Sequence, residues 1–94
     1  MPLTFEWDLR KARSNSAKHG VGFEEATTIF GDPLALTIPD PDHSLMETRY
    51  ITMGKAFTGK LLIVVHTERS DNIRLISARR ASRRERSYYE ENIE

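Results

Sequence analysis

Apolar and polar positions are spaced in three ways along the chain, and each spacing predicts a different element. From Leu9 to Lys18 the apolar positions are sparse, Leu9, Ala12 and Ala17, and they lie between Asp8, a helix-capping residue, and Gly20, which suits a left-handed helix stop. Phe23, Ala26, Ile29 and Phe30 recur at helical spacing. Glu24 and Glu25 stand at the positive end of this second helix, and Gly31, Asp32 and Pro33 end it. From Leu34 onward β-branched and aliphatic residues alternate with turn clusters, which predicts four strands at residues 34–38, 47–54, 61–68 and 73–79. Their connections are short, so an antiparallel meander is the simplest topology. Leu61 to Val65 is apolar on both faces and belongs at the centre of the sheet. Ser82-Arg83-Arg84-Glu85 reads as a capping box that opens a third helix, running from Arg83 to about Glu91.

The expected architecture is an α+β domain spanning residues 1–94, with two N-terminal helices, a four-stranded antiparallel sheet and a C-terminal helix packed on it. A hydrophobic content of 38% supports a modest core, and the absence of cysteine excludes a disulfide scaffold or a Cys-ligated metal site. The longest apolar run is far shorter than the ~20 residues of a membrane span, and the first residues do not read as a secretory leader. A cytoplasmic protein with no membrane association is expected.

Zero net charge conceals a division: residues 1–48 carry four basic and eight acidic side chains, residues 49–94 ten and six. A second basic stretch, Arg10, Lys11, Arg13, Lys18 and His19, contains no acid. Such asymmetry fits a polyanion, an acidic partner chain or simply two solvated helix faces. Several familiar motifs fail. Gly54-Lys55-Ala56-Phe57-Thr58-Gly59-Lys60 imitates a P-loop, but Leu61 stands where Ser or Thr must ligate magnesium, and the context is strand to strand. Gly20-Val21-Gly22 lacks the third glycine and preceding strand of a dinucleotide fingerprint, and the three histidines have no ligand spacing.

What remains is a set of polar residues on otherwise apolar strands. Alternation puts His66 and Glu68 on one face of the third strand. If Gly54 pairs with Leu61, Arg49 falls opposite His66 and Glu47 opposite Glu68, and a two-residue turn at Ser70-Asp71 brings Ser77 and Arg79 to the same face. One slip of register moves the group to the other face. Together they hold the parts of a metal-free ribonuclease: a base for the ribose 2′-hydroxyl, guanidinium groups for the phosphorane charge, and an imidazole to protonate the leaving oxygen. Cross-strand ion pairs at a sheet end, with a half-buried histidine, use the same residues. Arg79, Arg80, Arg83 and Arg84 flank a helix start, where cations oppose the dipole and arginines can hold phosphate oxygens. Tyr88 can stack on a base, whereas Tyr89 and Ile93, four apart, suit packing.

The residues also resemble a known family. Phe5-Glu6-Trp7-Asp8, Lys18-His19-Gly20-Val21, Phe23-Glu24-Glu25-Ala26, Phe30 with Asp32-Pro33, Glu47 with Arg49, Gly54, and Arg74-Leu75-Ile76-Ser77-Ala78-Arg79 with Glu85 together resemble the BrnT toxins over nearly the whole chain. Leu9 departs from the proline usual after Trp-Asp, and Gly22 from the usual capping Ser or Asp. The resemblance implies a RelE-like fold and a ribonuclease that arrests translation. It further implies a BrnA-like antitoxin whose DNA-binding domain contacts the operator, so that the toxin meets operator DNA only through its partner. No cofactor or metal is expected. The expected catalytic set is Arg49, His66, Glu68 and Arg79, with Lys18, His19, Glu47, Arg80, Arg83 and Arg84 as RNA contacts. An inactive module that binds a repressor is the alternative, followed by a small RNA-binding adaptor.

Overall fold

The computed structural model describes residues 3–41 and 48–92. The chain runs β1 (Thr4–Glu6), α1 (Leu9–His19), α2 (Phe23–Thr27) continued by a 3₁₀ turn (Thr28–Gly31), β2 (Leu36–Pro39), β3 (Arg49–Lys55), β4 (Leu61–Arg69), β5 (Asn72–Arg80) and α3 (Arg83–Glu91). The sheet has five strands in the order β1-β5-β4-β3-β2. Strands β2 to β5 form the expected antiparallel meander, with β4 at its centre. The four-stranded, all-antiparallel expectation is corrected by β1, which pairs parallel with β5 through Thr4↔Asn72, Phe5↔Ile73 and Glu6↔Arg74. Three residues carry little local signal, and their partner lies almost seventy positions away. No helix among the described residues is long and apolar enough to cross a membrane.

Local signals set the helix ends. The Asp8 carboxylate accepts from the backbone N–H of Arg10 (2.7 Å) and Lys11 (3.3 Å), and Gly20, at φ 69°, donates to Ser16 O to close α1. Ser82 and Glu85 form both bonds of the capping box at α3. The α1 and α2 helices cover one face of the sheet. There Val21, Phe23, Ala26 and Ile29 pack on Leu62, Val64, Leu75 and Ala78, all at most 1% exposed. Removing each large side chain from water is worth about 1.5–3 kcal/mol. On the other face α3 delivers Tyr89 to Met53, Leu61 and Ile63. The Tyr89 hydroxyl donates to Asp32 at 2.5 Å, which ties α3 to the loop before β2.

Helix α1 has too few apolar residues to hold itself down, since Leu9 is 69% exposed. A buried amide does that work. Asn15 Nδ2 donates to Ala78 O (2.8 Å) and Val21 O (3.1 Å), and its Oδ1 accepts from Ala78 N (3.0 Å). The side chain therefore pairs with the edge of β5 as a strand residue does, beyond the point where β1 ends.

Two local irregularities decide which face each strand residue takes. The β3–β4 turn closes with Ala56 N donating to Lys60 O, and Gly59 takes φ 90°, so Lys55 rather than Gly54 pairs with Leu61. This corrects the expected register by one residue. In β5 a bulge places both Leu75 and Ser77 against consecutive β4 residues, as His66↔Leu75 and Val65↔Ser77, with Ile76 as the extra residue. Gly54 lies beneath the 3₁₀ turn, where an added Cβ meets Ile29 Cβ and Ile29 O at 3.1 Å and Ala35 Cβ at 3.2 Å. Gly54→Ala is expected to lower stability by about 1–2 kcal/mol through overpacking, read as a lower urea midpoint at constant m-value. An unchanged midpoint would show that the turn yields without cost.

Candidate active site

The sheet face that carries α3 is only partly covered. Beside the helix, Leu36, Ile38, Ile51, Met53, Ile63 and Val65 floor a hollow of about 290 Å³, closed at one end by Ser77, Arg79, Glu85 and Tyr88. Ile38 and Tyr88 are 56% and 57% exposed. Alternation puts Arg49 on the same face, since it pairs with Thr67 two residues beyond Ile51↔Val65.

Arg79 and Glu85 form a two-pronged pair, Nη1 to Oε1 at 2.8 Å and Nη2 to Oε2 at 2.9 Å. Glu85 Oε1 also accepts from Ser82 N at 2.8 Å, so the carboxylate that caps α3 aims the guanidinium. The hydrogen bond from Arg79 is the main reason that the Glu85 carboxyl is held down at about 2, and the same bond raises Arg79 above its usual value. Both charges are fixed at neutral pH. Arg79 remains partly exposed toward the hollow, where its remaining N–H groups can meet an anion. Asp32 is the other organising carboxylate. Burial opposes its ionisation, but hydrogen bonds from Tyr89 and from the backbone N–H of Lys55 and Leu34 outweigh burial and hold it below the usual range. Burial and the Asp32 charge push the Tyr89 hydroxyl up to about 12.

The expected catalytic set does not assemble on one face. Arg49 and Arg79 share the hollow face, because the β3–β4 turn displaces the first and the β5 bulge the second. His66 and Glu68 remain on the opposite side. This corrects the pairing of Arg49 with His66; Tyr50 occupies that position. His66 is 5% exposed beneath the helices, edge-on to Phe30 and stacked with Tyr50 at centroid distances of 5.0 and 5.9 Å. Its Nε2 lies 2.7 Å from Thr52 Oγ1, which in turn lies 2.8 Å from Thr37 Oγ1. Burial lowers its pKa to about 4, so the ring is neutral at pH 7 and closed to substrate. Glu68 is exposed near the far end of β4. Among the expected RNA contacts, Arg80, Arg83 and Arg84 are exposed at the β5–α3 junction, and Glu47 lies outside the described residues.

Lys18 and His19 fall in a second depression, between α1 and the bulged part of β5, together with Arg10, Lys11 and Ser14. Ser77 lines both this cleft and the apolar hollow. Neither the bulge that turns Ser77 nor the role of Asn15 is apparent from the strand pattern. The one available signal for Asn15 is an amide three residues after Ala12, on the thin apolar side of a helix where asparagine is a poor former. Among the described residues, no three His, Cys, Asp or Glu side chains are grouped to hold a metal ion.

Comparison with known proteins adds to this geometry. The family described as the ribonuclease toxin BrnT of type II toxin-antitoxin systems matches residues 7–85. The fold is similar to that of the ribonuclease toxin BrnT from Brucella abortus in its crystal structure. The two superpose with a TM-score of 0.68 at 22% identity, over 87% of this chain and 100% of that one. No curated protein matches the sequence.

Proposed function

From the premise that the chain belongs to the BrnT family of type II toxin-antitoxin ribonuclease toxins, we propose that it cleaves RNA without a metal ion, with Arg79 at the reacting phosphate. Membership implies an antitoxin partner. The observation that carries the site is the Arg79–Glu85 pair at the end of an open hollow, a guanidinium held in place by a carboxylate that cannot be neutralised near pH 7. In the reaction the 2′-oxygen attacks the adjacent phosphorus, and its proton passes to a base. The bond from phosphorus to the 5′-oxygen then breaks, and that oxygen is protonated, leaving a 2′,3′-cyclic phosphate and a 5′-hydroxyl. Arg79 stabilises the extra charge on the phosphorane, assisted by Arg49 from the same face. With His66 sealed in the core and His19 in the separate cleft beside α1, no histidine among the described residues lines the hollow, and the proton transfers at Arg79 fall to water or to the substrate's own groups.

The antitoxin is BrnA-like, with a DNA-binding domain that carries the pair to its operator, and it covers the hollow. Six aliphatic side chains beside Arg79 suit a protein segment, and a segment lying there blocks the guanidinium. One domain over residues 1–94, acting in the cytoplasm, completes the reading. The protein is purified with the product of its neighbouring reading frame, stripped of that partner, and incubated with structured RNA in EDTA. Discrete fragments ending in cyclic phosphate, lost when the partner is restored, are expected. Intact RNA with folded protein, even when ribosomes are added, would favour an inactive repressor-binding module.

A further inference from the structure

Helix α1 carries Arg10, Lys11, Arg13, Lys18 and His19 and no acidic residue. Its first turn holds Arg10 and Lys11, where a cation opposes the helix dipole at a cost of about 0.3–1 kcal/mol each. The Asp8 carboxylate is turned to the backbone N–H groups of these residues, and among the described residues Arg10, Lys11 and Lys18 form no ion pair. Dipole compensation accounts for Lys18 and His19 in the last turn but not for the first-turn pair. Arg10, Ser14 and Lys18 stand four residues apart, so they form one stripe about 12 Å long, with Lys11 beside it. That stripe is the basic wall of the cleft against Ile76 and Ser77. The Asn15 amide clamps it to β5 from beneath.

The cleft also leads somewhere. Beyond Arg74 the outer edge of β5 is no longer paired with β1; Asn15 takes it up at Ala78, and between these points the bulge at Ile76 turns Ser77 to the hollow side while it still lines the cleft. A flexible strand lying along α1 can therefore cross the edge of β5 at Ser77 and reach Arg79.

We propose that the α1–β5 cleft is the track for the ribose-phosphate backbone of single-stranded RNA, with Arg10, Lys11 and Lys18 on successive phosphates and Ser77 at the crossing into the hollow. The proposal builds on the ribonuclease reading, and one experiment separates their failures. The whole protein, freed of its partner, is titrated into a fluorescent 2′-O-methyl oligonucleotide, which lacks the attacking hydroxyl, over a range of salt concentrations. The unmodified oligonucleotide is assayed for cleavage in parallel. Replacing Arg10, Lys11 and Lys18 together by glutamine, all three exposed, is expected to weaken binding roughly tenfold or more at low salt. It also flattens the plot of log affinity against log salt by about 2, since a single strand gives about 0.7 per phosphate contact. Arg13→Gln, exposed but outside the cleft, leaves both unchanged. Equal losses in the triple variant and Arg13→Gln, or none in either, would overturn the track, and cleavage by the unaltered protein would leave the ribonuclease reading standing. Binding that depends on the triple, with no cleavage, would support the track and remove the ribonuclease reading.

Discussion

Arg79→Ala is expected to reduce RNA cleavage by about 10²–10³-fold, the usual loss when one preorganised donor to a developing anion is removed. The size of the effect follows from how firmly the group is held. Two hydrogen bonds fix the guanidinium plane to Glu85, and Glu85 is itself fixed by Ser82 N and the start of α3. Little reorganisation is therefore needed as charge grows on the phosphorane. Arg79→Lys keeps a cation but loses the planar fork, so most of the activity is lost with it. Glu85→Gln leaves Arg79 charged but less constrained and weakens the capping box, so cleavage falls less than for Arg79→Ala. In that variant the loss appears in kcat more than in KM, because substrate still meets the same charge. Single-turnover cleavage by each variant, with circular dichroism to confirm folding, provides the comparison. Arg79→Ala that cleaves at the unaltered rate would move the reacting phosphate away from the hollow.

The Arg79 site shows how far the sequence could be read and where it stopped. Elements with local causes were legible. The capping box located α3, Asp8 and Gly20 bracketed α1, and the doubly apolar run at Leu61 to Val65 marked the central strand. Quantities that depend on counting across turns were not. A β-strand reverses face with every residue, so the three-residue loop at Phe57 to Gly59 and the bulge at Ile76 each moved an arginine to the other side. Because the displacements were two in number, Arg49 and Arg79 still ended on a common face. Their expected companions, His66 and Glu68, did not move with them. Strand β1 and the Asn15 clamp rest on contacts more than sixty residues apart, which composition and periodicity do not report.

His66, excluded from catalysis by its burial, is expected to govern stability at mildly acid pH. Its pKa in the folded chain is about 4, against 6.5 in the open chain. Between these values the unfolded chain binds a proton that the folded one does not. Stability from this group is thus complete above pH 6.5 and is lost as pH falls toward 4, a difference of about 3 kcal/mol by linkage. Glu85 acts in the same direction but in a lower window, because its folded value of about 2 lies below the usual 4.5, so its contribution is lost only below pH 4.5. Acid unfolding should therefore proceed in two stages, the first from the core histidine and the second from the carboxylates held below their usual range, Glu85 and Asp32 among them. Urea midpoints measured from pH 7.5 to 4.5 isolate the first stage. His66→Gln starts lower at pH 7.5, since a less suited side chain faces Thr52, Phe30 and Tyr50, yet its profile stays nearly flat while that of the unaltered protein descends. Parallel profiles for the two proteins above pH 5 would show that His66 takes up its proton without unfolding, and would reopen the question of its access to substrate.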